Sequence, residues 1–124
     1  MAFLLDTHAL IWWLEDAGDL SEPSRRLLED PNAEIYCSAA SCYEIGWKVA
    51  IGRLSPRPSV RAACAMQGIV ELAITAAHAE RAASLAPIHR DPWDRLLVAQ
   101  ALENSLVVIT RDDAIAALGA TVIW

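Results

Sequence analysis

The sequence predicts an α/β fold in which a mostly parallel central sheet carries helices on both faces. Two patterns point to it. Strand-like and helix-like segments alternate along the whole 124 residues. Most of the strand segments are continuous apolar runs rather than period-two alternations, as expected of strands buried on both faces. A third observation bears on organisation. No internal repeat, low-complexity tract or long linker interrupts the chain, so a single domain over residues 1–124 is expected.

Taken in order, "AFLL" (2–5) is a short apolar strand that stops at Asp6. "HALIWWLE" (8–15) reads as a helix closed by Gly18. "SEPSRRLLED" starts a second helix, with Ser21 as N-cap and Pro23 in the first turn. "AEIYCS" (33–38) is a buried strand, after which Ser38 or Ser41 caps a helix that runs to about Ile51. Gly52 ends that helix, since glycine enters positive φ without strain. "SPRPS" is a turn. "VRAACAMQG" is a short helix closed by Gly68, "IVELAIT" a strand and "AAHAERAASLA" a helix followed by Pro87. A helix from Pro92 to about Asn104 precedes the strand "LVVIT" (106–110). "DDAIAAL" is a last short helix, Gly119 ends it, and "TVIW" is the final strand.

Composition excludes several classes. A chain of this length buries roughly two-thirds of its unfolded surface and supports its own core. Every apolar run falls short of the ~18 residues that a membrane span needs. "MAFLLDTHAL" has no basic leader region, and a cytoplasmic location is the expectation. Cys37, Cys42 and Cys64 are odd in number and form no CxxC pair, so they read as reduced packing residues. The net charge of −6 argues against a polynucleotide ligand unless a cation or a partner changes the local field.

The carboxylates carry the chemical signal. In an open parallel sheet, ligands bind at the carboxyl ends of the strands. Asp6 directly follows the first strand, and Asp112 lies two residues past "LVVIT". Helix N-termini share that edge. In the helix from Pro92, Asp91 fits the N-cap, while Asp94 falls at the centre of the stripe made by Leu97, Val98, Ala101 and Leu102. A lone carboxylate there needs a partner, and Arg95 lies on the other side of the helix. Glu44 shares a face with Ala40, Trp47 and Ile51, with an i,i+4 pair to Lys48 as its plain alternative. For each acid alone, capping or a surface role suffices. Together, Asp6, Glu44, Asp94 and Asp112 converge on one edge within reach of one cation. Carboxylates gathered in this way raise each other's pKa, and a hard divalent ion such as Mg²⁺ or Mn²⁺ offsets that repulsion.

Three segments then bear a family likeness. "LLDTHALIWWL", "SAASCYEIGWKVAIGRL" and "HRDPWDRLLVAQALENSLVVITRDDAI" resemble PIN-domain ribonucleases, above all the VapC-type toxins of bacterial toxin–antitoxin pairs. The likeness spans nearly the whole chain in order, although Arg53 to Ala86 is not diagnostic. It implies a three-layer α/β/α sandwich and a metal-binding quartet of Asp6, Glu44, Asp94 and Asp112, with Thr110 as a polar support. It also implies Mg²⁺ or Mn²⁺ dependence, endonucleolytic cleavage of RNA, a small antitoxin that plugs the acidic groove, and a homodimer. Asp113 competes with Asp112 for the fourth position.

The leading functional reading is metal-dependent RNA hydrolysis. A haloacid-dehalogenase-like phosphatase wants an aspartate where His8 stands. A phospho-receiver wants one at the end of "IVELAIT", which offers only Glu71. Nucleotide-binding folds need glycine-rich first turns that are absent here. The alternative from another class is a non-catalytic acidic module that docks a basic partner peptide. Trp12 and Trp13 are either core residues or the wall of a groove for such a partner. His8 is close enough in sequence to touch the Asp6 site, whereas His78 and His89 read as surface or helix-end residues.

Overall fold

The computed structural model describes all residues, 1–124. Five strands, β1 (Ala2–Leu5), β2 (Glu34–Ser38), β3 (Val70–Leu72), β4 (Val107–Ile109) and β5 (Val122–Ile123), form one sheet in the order β3-β2-β1-β4-β5. Every pairing is parallel, with Leu5 opposite Cys37 on one side and Ile109 on the other. The chain moves outward from β1 to β3, then crosses back to place β4 on the other side of β1. The order therefore reverses between β1 and β4, and this is where an open sheet forms its binding crevice.

Seven helices flank the sheet: α1 (Thr7–Leu14), α2 (Glu22–Glu29), α3 (Ala39–Ala50), α4 (Val60–Met66), α5 (Ala76–Ser84), α6 (Pro92–Asn104) and α7 (Asp113–Ala117). Residues alternate across the pleat, so successive strand residues feed opposite layers. Phe3, Leu5, Cys37 and Ile109 join Leu10, Ile45, Cys64 and Ile69 in one apolar cluster. Leu4 and Val108 join Leu97, Val98, Ala101, Ile115 and Leu118 in the other. These two clusters make the α/β/α sandwich. Cys37 and Cys64 are buried and Cys42 half-buried, all as free thiols. No helix is long and apolar enough to cross a membrane.

Most helix boundaries follow the expected caps. Ser21, Ser38 and Asp91 each accept a backbone N–H at the start of their helices, so Ser38 rather than Ser41 caps α3. Gly52, Gly68 and Gly119 take positive φ after α3, α4 and α7. The end of α1 departs from expectation. The helix stops at Leu14, and Asp16 rather than Gly18 takes the left-handed conformation, at φ 51°. Ser105 does the same for α6, at φ 55°. Aspartate and serine tolerate this region through short polar side chains, at some energetic cost relative to glycine.

Candidate active site

Asp6 stands at the carboxyl end of β1, held by the fold from three directions. Its backbone N–H donates to the carbonyl of Ile109 at 3.2 Å, continuing the β1–β4 ladder. Its Oδ1 accepts the Ala9 N–H at 2.7 Å, which caps α1. Its Oδ2 accepts the Thr110 hydroxyl. Only 5% of Asp6 is exposed. Burial therefore pushes its carboxyl above the usual range, even though the hydrogen bonds from Thr110 and Ala9 pull the other way.

Thr110 is the hinge between the two strand ends. While donating to Asp6 it accepts the backbone N–H of Asp112 at 3.0 Å. The chain past β4 is thus tied to the Asp6 carboxylate through one buried hydroxyl. Asp112 caps α7 by accepting the Ala114 N–H at 2.9 Å. With Asp6, His8, Trp12 and Arg111 it lines a cavity of about 310 Å³. Asp113 is exposed within α7 and takes no part in that lining.

Asp94 occupies the third position of α6 after Asp91, whose Oδ1 accepts the N–H groups of Trp93 (2.9 Å) and Asp94 (3.2 Å). Asp91 is therefore the cap that its position predicts. The partner that Asp94 requires is His89, whose Nε2 lies 2.8 Å from Oδ2. The expectation of a surface or helix-end role for His89 is corrected accordingly. The turn before α6 folds back over the helix start and brings the imidazole onto the carboxylate. Burial raises Asp94 above its ordinary range, with His89 opposing and the charges of Asp91 and Asp112 adding. His89 is raised in turn, chiefly by its hydrogen bond to Asp94. Arg95 does point elsewhere. Its guanidinium donates to the carbonyls of Ala82, Leu85, Ala86 and His89, which fixes the end of α5 and the loop beyond it.

Glu44 reaches the same region from α3. The buried stripe of that helix is Ala40, Ser41, Glu44 and Ile45. Trp47 and Ile51, expected on the same face, are 47% and 45% exposed. Ser41, one turn before Glu44, hydrogen-bonds Thr7 at 2.9 Å, so this face of α3 is turned to the residue that follows Asp6. One residue before each acid, Tyr43 and Trp93 place their rings 6.1 Å apart, bringing the Glu44 turn beside the Asp94 turn. The ion pair with Lys48 is present at 2.6 Å, through Oε2. Oε1 is buried and has no hydrogen-bond partner.

The four acids share the carboxyl edge of the sheet, but they do not form a closed ligand cage. No three histidine, cysteine, aspartate or glutamate side chains are gathered tightly enough to enclose an ion. Each carboxylate is instead drawn towards its own donor: Thr110 and Ala9, Lys48, His89, or the start of α7. The donor set nonetheless suits a hard divalent ion. All four groups offer carboxylate oxygen, and the unpartnered Oε1 of Glu44 is an acceptor buried at an energetic cost that a bound cation would relieve.

The chain's relatives share this architecture. The sequence profile of the PIN domain matches residues 3–120. The chain belongs to the PIN-domain family. Ribonuclease VapC22 of Mycobacterium tuberculosis (strain ATCC 25618 / H37Rv) is 28% identical over 114 residues, spanning 88% of this chain and 85% of its own. Among solved structures, VapBC2 from Rickettsia felis, bound to a DNA fragment from its promoter, aligns with a TM-score of 0.74 at 12% identity, over 99% of this PIN domain and 98% of the matched chain. VapC20 of Mycobacterium tuberculosis, a Sarcin-Ricin loop cleaving toxin, aligns with a TM-score of 0.68 at 20% identity over 96% of each chain. At such identities the structural matches speak for the fold.

Sequence reasoning missed two parts of this PIN-domain site and one pair outside it. His89 carries no local signal, because its partner is reached only through the turn before α6. The Thr7–Ser41 bond joins residues 34 apart. His78, expected at a surface or helix end, does start α5, but it is buried and bonds Asn104 at 2.7 Å.

Proposed function

We propose that this PIN domain is a divalent-metal-dependent endoribonuclease and acts as the toxin of a toxin–antitoxin pair. The observation that supports the reading is the set of four carboxylates along the carboxyl edge of the sheet, one of them with a buried, unpartnered oxygen. The likeness to Ribonuclease VapC22 supports RNA as the substrate. The VapBC complex among the structural neighbours supports an antitoxin as partner. A homodimer and a cytoplasmic location are part of the same reading.

Asp6, Glu44, Asp94 and Asp112 would hold Mg²⁺ or Mn²⁺. When bound, the ion supplies the positive charge that attracts phosphate and stabilises the charge that develops as the diester is attacked. The protein's own residues prepare the ground. Thr110 keeps Asp6 and the start of α7 aligned through one hydroxyl. His89 orients Asp94 and carries a proton beside it. Lys48 holds one oxygen of Glu44 and leaves the other free. One of these carboxylates takes the proton of the attacking water. The low overall charge is then consistent with an RNA ligand, because attraction is local to the loaded site.

The test is cleavage of RNA by purified protein in Mn²⁺, comparing wild type with Asp6→Asn and Asp94→Asn. Each variant should lose activity by on the order of a hundredfold or more. Undiminished cleavage by both would overturn the proposal. Calorimetric titration with Mn²⁺ separates it from the acidic docking module, which would show no metal binding dependent on Asp6.

A further inference from the structure

The cavity beside Asp6 holds one cation that no carboxylate has claimed. Arg25, Arg57, Arg61 and Arg81 are each paired with an acid, and Arg95 is spent on backbone carbonyls. Arg111 directly precedes Asp112 and is exposed at the rim of the cavity. Its guanidinium carbon lies 4.4 Å above the ring of Trp12. Trp12 is itself held in place, with Trp124 at 5.9 Å edge-on and His8 at 5.8 Å.

The choice of an indole rather than a carboxylate has a chemical consequence. A carboxylate partner takes up the N–H donors of a guanidinium, whereas an aromatic face attracts the cation and leaves its five N–H groups free. Arg111 is therefore anchored but unsatisfied, with its planar fork suited to bidentate contact with a phosphate. Asp6 and Asp112 line the same cavity, so an anion approaching it meets repulsion except at Arg111. A chain of phosphates can place one group at the acidic site and a neighbouring one at this arginine.

We propose that Arg111, seated on Trp12, binds a backbone phosphate of the RNA strand next to the one cleaved. Arg111 is a substrate-binding residue and Trp12 a positioning residue that acts through it. The inference rests on the ribonuclease reading and specifies how that site grips its substrate.

The test measures binding without turnover, in the Asp94→Asn background with Mg²⁺, using a short fluorescein-labelled single-stranded RNA of mixed sequence and the DNA strand of the same sequence. Adding Arg111→Ala should weaken anisotropy-measured affinity roughly ten- to a hundredfold, as expected for a charged hydrogen bond. The loss should be equal for RNA and DNA, because both present the same phosphate. The slope of log affinity against log salt should shrink by about 0.7, the value for one lost contact on a single strand. Arg111→Lys should keep the slope and lose part of the affinity. Trp12→Leu should keep the slope and weaken affinity roughly two- to fivefold, the worth of an exposed cation–π contact. In otherwise wild-type protein, Arg111→Ala should raise KM more than it lowers kcat. An unchanged affinity and salt slope in Arg111→Ala would overturn the inference, as would a loss confined to RNA. If Asp6→Asn and Asp94→Asn both cleave RNA as well as wild type, the ribonuclease site reading fails instead, and the two failures are distinct.

Discussion

Replacing Asp6 with asparagine should stabilise the metal-free protein and at the same time abolish its response to metal. Asparagine keeps the shape and an oxygen for the Ala9 N–H, it turns an amide N–H towards the Thr110 hydroxyl, which then accepts instead of donating, and it caps helices as well as aspartate does. What it removes is a charge that is only 5% exposed. Because burial raises the Asp6 carboxyl above 3.8, its contribution to stability is fully present below pH 3.8 and is lost as pH rises through the raised value. Each pH unit of such a rise forfeits ~1.4 kcal/mol at neutral pH. An unfolding entropy of about 2.1 cal/mol/K per residue makes each kcal/mol worth roughly 4 °C in a domain this size. In EDTA at pH 7, Asp6→Asn should therefore melt several degrees above wild type, and the difference should close as the pH falls towards 3.8. Addition of Mn²⁺ at about a hundredfold its Kd should stabilise wild type by ~2.7 kcal/mol, or roughly 10 °C. The variant should show little of this. Calorimetric melting across pH, with and without Mn²⁺, reads both effects. A variant that melts below wild type in EDTA, or that retains the full Mn²⁺ shift, would refute the reasoning.

Three further outcomes are expected. Lys48→Ala leaves Glu44 buried with neither oxygen paired, and should destabilise the metal-free protein by about 1–3 kcal/mol in denaturant titration. Part of that loss should return with Mg²⁺. In the metal-free protein His89 should titrate above 6.5 by NMR, so the stability of its pair with Asp94 is present below pH 6.5 and fades as pH rises through the raised value. In Asp94→Asn the imidazole should fall back towards that ordinary value. Arg95→Ala removes four donations to carbonyls at the end of α5 and should cost about 2–3 kcal/mol by denaturant unfolding. Faster hydrogen exchange should be confined to residues 82–89.

The legibility of this chain differs between levels. Each strand and helix has a local cause that a single sequence displays. "LVVIT" is apolar on both faces, Asp91–Pro92 opens a helix, and Gly52, Gly68 and Gly119 sit where the backbone turns left-handed. The end of α1 was less legible because Asp16 took the role that glycine usually fills. For the site, Asp94 on an apolar stripe was visible as a carboxylate in need of a partner. The identity of that partner was not, because His89 meets it through a loop rather than along a helix face. Glu44 shows the opposite limit. Helical spacing placed it with Trp47 and Ile51, yet the neighbours that decide burial are Thr7 and the start of α1, which no periodicity reveals.

What the amino-acid order determined by itself is therefore the set of elements, their parallel arrangement and the placement of acids at strand and helix ends. These depend on dihedral preference, capping and hydrophobic spacing, which act over a few residues. Tertiary structure decided what those acids touch. It set β4 beside β1, so that Thr110 joins Asp6 to Asp112 across a separation of 104 residues. It left one oxygen of Glu44 without a donor and gave Arg111 an indole in place of a carboxylate. Electrostatics and hydrogen bonding depend on distance in space, and only the packing of the whole chain sets those distances.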